Sequence, residues 1–372
     1  MSMMIEPRDT RLKRIRTKLE SGKRLGKEEG IQLYETADLL GLGGLAHGVR
    51  WARHGRKAYF VYNQHLNYTN ICKNRCAFCA FARDAGEAGG YVMSLDRVEA
   101  AVTERLHEPI TEIHVVGGVN PDLEPEYYFN LVRRIKQARP EVVVKAFSAV
   151  EIHHLARIAG LTLTETLERL KDCGLESLPG GGAEVFSSRV RNRLFPGKIS
   201  AEEWMEVMRK AHEAGIRSNA TLLYGHIETI EERVDHLLQL RRLQDETGGF
   251  MAFIPLAFHS KNTRLSHISP TTGYLDLKTV AVSRLLLDNI PHIKAYWVML
   301  GLKTAQVALN FGADDLDGTV VRENITHAAG ADTPTGLSPD ELSRLIKEAG
   351  FEPVERDAFY HPVEDRPRAF EA

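Results

Sequence analysis

The chain has 372 residues, 43% hydrophobic and 26% charged, with 48 lysines and arginines against 50 aspartates and glutamates. A net charge of -2 gives no global basic field for a polyanion, and the longest apolar run, Phe250 to Phe258, contains Pro255 and is far too short to span a bilayer. The stretch Met1 to Glu20 is charged and lacks the apolar segment of a signal peptide, so a cytoplasmic protein with neither membrane nor nucleic acid as partner is expected, acting on a small molecule.

From about Arg11 to Arg56 the pattern is helical, with Lys27-Glu28-Glu29 opening an amphipathic run that carries Ile31, Leu33, Leu39, Leu40 and Leu45. This predicts an N-terminal helical cap over 1–57. From Ala58 onward short apolar runs alternate with helical stretches, the pattern of repeated βα units around a parallel sheet. Predicted strands are Phe60–Asn70, Glu112–Val116, Val142–Phe147, Ser177–Gly180, Ser218–Tyr224, Met251–Ala257, Lys294–Met299 and Gln306–Phe311, enough to close an α/β (β/α)8 TIM-type barrel over 58–330. The intervening helices are predicted at Glu126–Ala138, Leu163–Asp172, Ala201–Glu213, Ile230–Gln244 and Asp276–Asp288. Ser338 followed by Pro339 opens a further helix over 337–349. With the proline-containing, charged tail Glu352–Ala372, poorly ordered or docked, it makes a C-terminal helical extension over 331–372 packed on the barrel.

Cys72, Cys76 and Cys79 fall within eight residues in a C-x3-C-x2-C spacing. A 4Fe-4S cube normally takes four thiolates, so three leave one iron open to an exogenous ligand. The amino and carboxylate groups of S-adenosylmethionine (SAM) fit that position, and radical chemistry of this kind belongs to the cofactor while the protein supplies position and shielding. The alternative is a Cys3His zinc site. His65 is the nearest histidine, but it lies outside usual finger spacing, and no second C-x-x-C or any H-x-x-x-H pair occurs. The fourth and last cysteine, Cys173, ends a helical pattern and reads as a small buried hydrophobe, which leaves no thiolate set for a second cluster. Phe78 either covers the cluster along the adenine edge or packs under the loop.

In a parallel barrel functional groups collect where strands end. Gly117-Gly118 follows the second strand and either admits a zwitterion to the backbone or makes a plain turn. After the fourth, Pro179-Gly180-Gly181-Gly182-Ala183-Glu184 offers Gly181 and Glu184 to SAM, with a helix cap as the other reading of Glu184. His226 after the fifth strand is either a proton-transfer or substrate group or a packed histidine, and His259 after the sixth is a further candidate proton-transfer group. The acidic run Asp314-Asp315-Leu316-Asp317-Gly318 lacks the first and last ligands of a calcium loop and reads as a solvated helix start, with a polar substrate or nucleoside contact as the alternative.

The stretch NYTNICKNRCAFCAFAR (67–83) resembles the radical SAM enzymes of the group that contains the aminofutalosine synthases, the dehypoxanthine futalosine cyclases and the deazaflavin (FO) synthases. The likeness continues through HVVGGVNPDLEPEYY (114–128), KAFSAVEI (145–152), SLPGGGAE (177–184), NATLLYGHIET (219–229), DETGGFMAFIPLAFH (245–259), HIKAYWVMLG (292–301) and ALNFGADDLDGT (308–319). LLYGHIET and FIPLAFH look most like the aminofutalosine synthase branch, of the futalosine route to menaquinone. The resemblance implies one 4Fe-4S cluster, SAM consumed as co-substrate, and a reductant such as flavodoxin or ferredoxin. It further implies addition of the adenosyl radical to 3-[(1-carboxyvinyl)oxy]benzoate, with aryl migration and loss of a carboxylate, giving 6-amino-6-deoxyfutalosine. Two substrate carboxylates call for cations or donors at the mouth, and Lys145, His259 and Lys294 are the candidates. Tyr296, Trp297 and Phe258 would line the radical's surroundings.

Overall fold

Seven short strands, most of them rich in Val, Ile, Leu and Ala, build the barrel wall, since a strand covered on both faces needs apolar residues at successive positions. The computed structural model describes residues 6–321 and 323–363. In chain order the strands are β1 (Lys57–Val61), β2 (Asn63–Leu66), β3 (Glu112–Val115), β4 (Val143–Ala146), β5 (Leu175–Leu178), β6 (Arg217–Tyr224), β7 (Phe250–Ala257), β8 (His292–Ile293), β9 (Asp315–Gly318) and β10 (Glu352–Arg356). β2 through β8 form one seven-stranded parallel sheet in sequence order, and β10-β1-β9 form a second sheet.

The two sheets complete a ring. β1 runs into β2 with only Tyr62 between them, β1 pairs in parallel with β9, and β9 meets the residue after β8 through the Lys294–Asp315 bridge. Ala295 N donates to Asp315 O at 2.7 Å and Asp314 N to Ile293 O at 3.0 Å, so the backbone closes the barrel on this side.

This corrects three strand assignments. The predicted eighth strand Gln306–Phe311 is helical (Leu302–Ala308, then a 3-10 turn Leu309–Phe311), because its apolar residues pack on the preceding helices; the closing strand is instead the acidic run at β9. That run is not a solvated helix start. Asp314 meets Arg284 and His292, Asp315 meets Arg356 at 2.7 Å, and Asp317 meets Lys294 at 3.0 Å, so cations from distant segments allow the acids to be buried. The predicted Phe60–Asn70 strand splits in two, and Lys294–Met299 contributes only its bridge before the turn Trp297–Leu300.

Helices Thr10–Glu20, Lys27–Glu35 and Leu39–His54 precede the barrel, and the last two pack on the helices after β6 and β7. Serine or threonine N-caps with a glutamate three residues on start the helices Ala149–Ala159, Leu163–Asp172, Ala201–Glu213, Ile230–Thr247 and Pro339–Glu348. The predicted tail is not free at its start, because Glu352–Arg356 adds to the sheet beside β1. Residues 364–372 of that predicted tail lie outside the described residues.

Candidate active site

The strand ends surround a cavity of about 330 Å3 that is lined by Cys72, Cys76 and Cys79. The loop that carries them is fixed by backbone bonds: Cys72 N to Arg83 O at 3.0 Å, Arg83 N to Asn70 O at 2.9 Å, Lys73 N to Val119 O at 3.0 Å and Ala77 N to Leu194 O at 2.7 Å. Burial pushes the Cys76 thiol up to about 12 and also raises Cys79, where the N–H groups of Ala82 and Phe81 pull the other way by pointing at the sulfur. Such thiols ionise only with a cationic centre beside them.

The spacing of the sulfurs tests what that centre is. Among the described residues the three cysteines do not form a group with all donor atoms within 4.8 Å of one another. One tetrahedral zinc with Zn–S near 2.3 Å would draw its sulfurs to within roughly 4 Å. Three thiols line one cavity with at least one pair farther apart than a single ion would draw them, and three thiolates with no fourth protein ligand are the set that a cluster with an open iron takes.

The glycines next to the loop owe their identity to close packing. A Cβ on Gly118 would stand 2.2 Å from Ile71 O, and one on Gly117 2.6 Å from the Tyr68 ring. Their N–H groups are already used, Gly117 N donating to Glu151 Oε1 at 3.0 Å and Gly118 N to Thr69 O at 2.9 Å. The 180–184 loop is built likewise. Gly180 and Gly182 take φ of +85° and +88°, and a Cβ on them would meet Asn219 O at 2.1 Å and Val150 at 2.5 Å. Gly181, by contrast, faces the cavity, with nothing closer than 3.9 Å. Glu184 lines the cavity with φ of +50°, a conformation that costs a non-glycine residue energy. It caps no helix; its carboxylate pairs with Lys198, whose ammonium lies 5.3 Å from the Phe78 ring centre. Phe78 lines the cavity and packs edge-on against Phe195 at 5.5 Å.

Sequence reasoning missed Glu151 and Lys198. Glu151 accepts from Tyr68 OH at 2.8 Å, from Gly117 N at 3.0 Å and from Ser148 N and Oγ at 2.7 Å each. Burial raises its pKa while these hydrogen bonds oppose the rise. Its signal was legible as the capping pair Ser148-x-x-Glu151 directly after a strand. Lys198, far along the chain from the cysteines, left no local signal.

Other predicted residues are placed elsewhere. His226 does not line the cavity: Nε2 bonds Leu223 O at 3.0 Å and Nδ1 faces Glu228 at 2.9 Å. Lys145 and Lys294 lie beneath the cavity in buried pairs with Glu112 and Asp317, so neither ammonium is open to a ligand. His259 does line it, with Nε2 bonded to Met299 O at 2.9 Å, as do Tyr296 and Phe258. Trp297 instead is buried and donates to Gly318 O at 2.9 Å.

A parallel barrel with three thiols at the end of its first strand, beside a deep cavity, defines a radical SAM enzyme. Residues 66–240 match the radical SAM superfamily and residues 247–369 the CofH/MqnC C-terminal region. The chain is 51% identical over 360 residues to the aminodeoxyfutalosine synthase of Thermus thermophilus, covering 96% of this chain and 97% of that one. It is 47% identical over 364 residues to the synthase of Streptomyces coelicolor, covering 95% and 94%. Against the 5-amino-6-(D-ribitylamino)uracil–L-tyrosine 4-hydroxyphenyl transferase of Methanopyrus kandleri identity is 41% over 323 residues, with 86% and 88% covered. Among solved structures, methylornithine synthase (PylB) shares the fold with a TM-score of 0.74 at 17% identity, covering 92% of this chain and 97% of that one. The chain belongs to the aminodeoxyfutalosine synthase family of the radical SAM superfamily, whose members rely on a 4Fe-4S cluster and SAM.

Proposed function

We propose that the chain joins the adenosyl group of SAM to 3-[(1-carboxyvinyl)oxy]benzoate, giving 6-amino-6-deoxyfutalosine for menaquinone synthesis. The observation that carries this reading is identity of 51% and 47% to two aminodeoxyfutalosine synthases along nearly the whole chain. Cys72, Cys76 and Cys79 would hold a single cluster, which when bound supplies the electron that cleaves SAM into methionine and an adenosyl radical. The described residues contain no helix long and apolar enough to cross a membrane. A cytoplasmic setting with a flavodoxin or ferredoxin as reductant suits that picture.

The chain's own residues supply position and shielding. Glu151 fixes Gly117 and Tyr68 at the cysteine end, and Lys198, its ammonium over the Phe78 ring, holds Glu184. Leu223, Ile254, Leu256 and Phe258 give the cavity an apolar wall that keeps water from a reactive intermediate. As a division of the chain, 1–57 serves as a cap, 58–330 as the catalytic barrel and 331–372 as an extension on it.

The test is product analysis under anaerobic conditions with SAM, a reductant and the enol-ether benzoate. An adenosyl adduct with the mass of 6-amino-6-deoxyfutalosine is expected, with loss of turnover in Cys76→Ala. 5′-Deoxyadenosine as the main product, or turnover of tyrosine with 5-amino-6-(D-ribitylamino)uracil instead, overturns the reading.

A further inference from the structure

The floor of the cavity holds two imidazoles that the reaction scheme leaves unused. His65 on β2 and His114 on β3 stand side by side in register, with ring centres 4.4 Å apart and planes 21° from parallel. Each is the only residue of its strand that is not fully buried, and both line the cavity. Neither ring has a hydrogen-bond partner among the described residues. Burial, and for His114 also the adjacent His65, holds both below the usual histidine range. Each is therefore neutral, with one N–H to donate and one nitrogen to accept. Two imidazoles turned into the cavity with open N–H groups offer those donors to whatever occupies it.

Among the described residues, the cations around them are already engaged. Beneath the floor Lys145 is paired with Glu112, Lys294 with Asp317, and Arg356 with Asp315, so each buried cation is already matched by a carboxylate. Lys198, the one cation among the described residues that line the cavity, is at the cysteine end and engaged by Glu184. Two carboxylates also face the floor, but Asp317 is neutralised by Lys294, and Glu323 accepts from Thr326 N at 2.8 Å and from His327 Nδ1 at 2.8 Å. An anion reaching this end has His65 and His114 as its open donors, with Tyr296 beside them on the lining.

Depth identifies the group that reaches them. Gly117, beside the cysteine loop, follows His114 by three residues just past the end of β3, so at a strand rise of roughly 3.3 Å per residue the imidazoles lie deeper by up to about 10 Å. A substrate whose enol ether must meet the adenosyl carbon near the cysteines points its far end downward. We infer that His65 and His114 form a carboxylate site that receives the aryl carboxylate of the benzoate and sets the substrate's depth. This rests on the function proposed above.

The test uses the anaerobically reconstituted enzyme and titration calorimetry with two probes, 3-[(1-carboxyvinyl)oxy]benzoate and its aryl methyl ester. In the unaltered protein the ester is expected to bind about ten- to a hundredfold more weakly than the acid, the range of a hydrogen bond to a charged group. His65→Phe and His114→Phe are expected to weaken acid binding by a similar factor and to bring acid and ester within about threefold of each other. His65→Gln and His114→Gln, which keep a donor, are expected to restore most of the preference. SAM affinity and Tm report folding and are expected to stay unchanged in the Gln pair. If the Phe and Gln variants all keep the full acid-over-ester preference, or the Gln variants lose SAM and acid binding alike, the site is refuted while the activity stands. If the unaltered enzyme neither binds nor converts the benzoate, the activity falls and the site with it.

Discussion

Replacing Gly118 by alanine adds one methyl group and should cost the protein its cluster. The backbone there does not require glycine, since Gly118 lies outside the left-handed region, so any effect comes from space alone. The new Cβ would sit 2.2 Å from Ile71 O, 2.8 Å from Ile71 C and 2.9 Å from Cys72 Cβ. Ordinary contact demands that these atoms retreat by about 1 Å, and two of them are backbone that cannot swing aside. The retreat pulls Cys72 outward and strains the bonds Gly118 N to Thr69 O, at 2.9 Å, and Lys73 N to Val119 O, at 3.0 Å. Overpacking of this kind costs about 1–3 kcal/mol, or a fall of about 1–4 °C in Tm for a chain of this size. Iron and sulfide analysis with EPR after anaerobic reconstitution, alongside thermal denaturation, reads both effects. A Gly118→Ala protein that binds iron to the wild-type level with an unchanged Tm would refute the packing account of the glycine pair.

Gly181→Ala is the contrasting change: with open space at that Cβ, Tm should hold, while a methyl group projecting into the cavity weakens SAM binding several-fold in equilibrium dialysis. Unaltered SAM affinity would place the cofactor away from Gly181. Lys145→Met leaves Glu112 buried without its nearest cation and should cost about 3 kcal/mol in urea unfolding, and a loss below about 1 kcal/mol would mean that Lys294 and Arg356 compensate. Burial favours the neutral form of Glu228, but hydrogen bonds and charge from His226, with Arg233, hold its pKa down at about 2 against an ordinary 4.5. A carboxyl depressed on folding stabilises above its unfolded pKa and loses that contribution as pH falls. Glu228→Gln should therefore be less stable at pH 7 by roughly 3 kcal/mol, with the gap to wild type closing between pH 4.5 and 2. A gap that stays constant down to pH 2 would show that the carboxylate's charge is not what matters there.

Local chemistry was legible in this chain wherever a short run of residues carried it. The alternation of apolar runs and helical stretches placed the helices Leu163–Asp172 and Ala201–Glu213, and the C-x3-C-x2-C spacing located the cysteine loop on the cavity. Periodicity failed at Gln306–Phe311, where an apolar run short enough to be a strand packs as a helix. It failed again at Asp315–Gly318, because an acidic strand is credible only once Arg356 and Lys294 are known to lie against it. His226 looked like a mouth residue by position after its strand, yet its ring turns back to Leu223 O and Glu228.

The sequence by itself determined the class of chemistry, because three thiolates on one short loop and the glycines that let it pack are neighbours along the chain or recur at strand ends. Only the tertiary structure decided which charged groups remain open to a substrate. Whether Lys145 and Lys294 are ligands or are already paired depends on Glu112 and Asp317, residues brought to them by strand register across the barrel, and a buried cation facing a carboxylate is no longer available to an incoming one. The same register sets His65 against His114, which no spacing along the chain could announce.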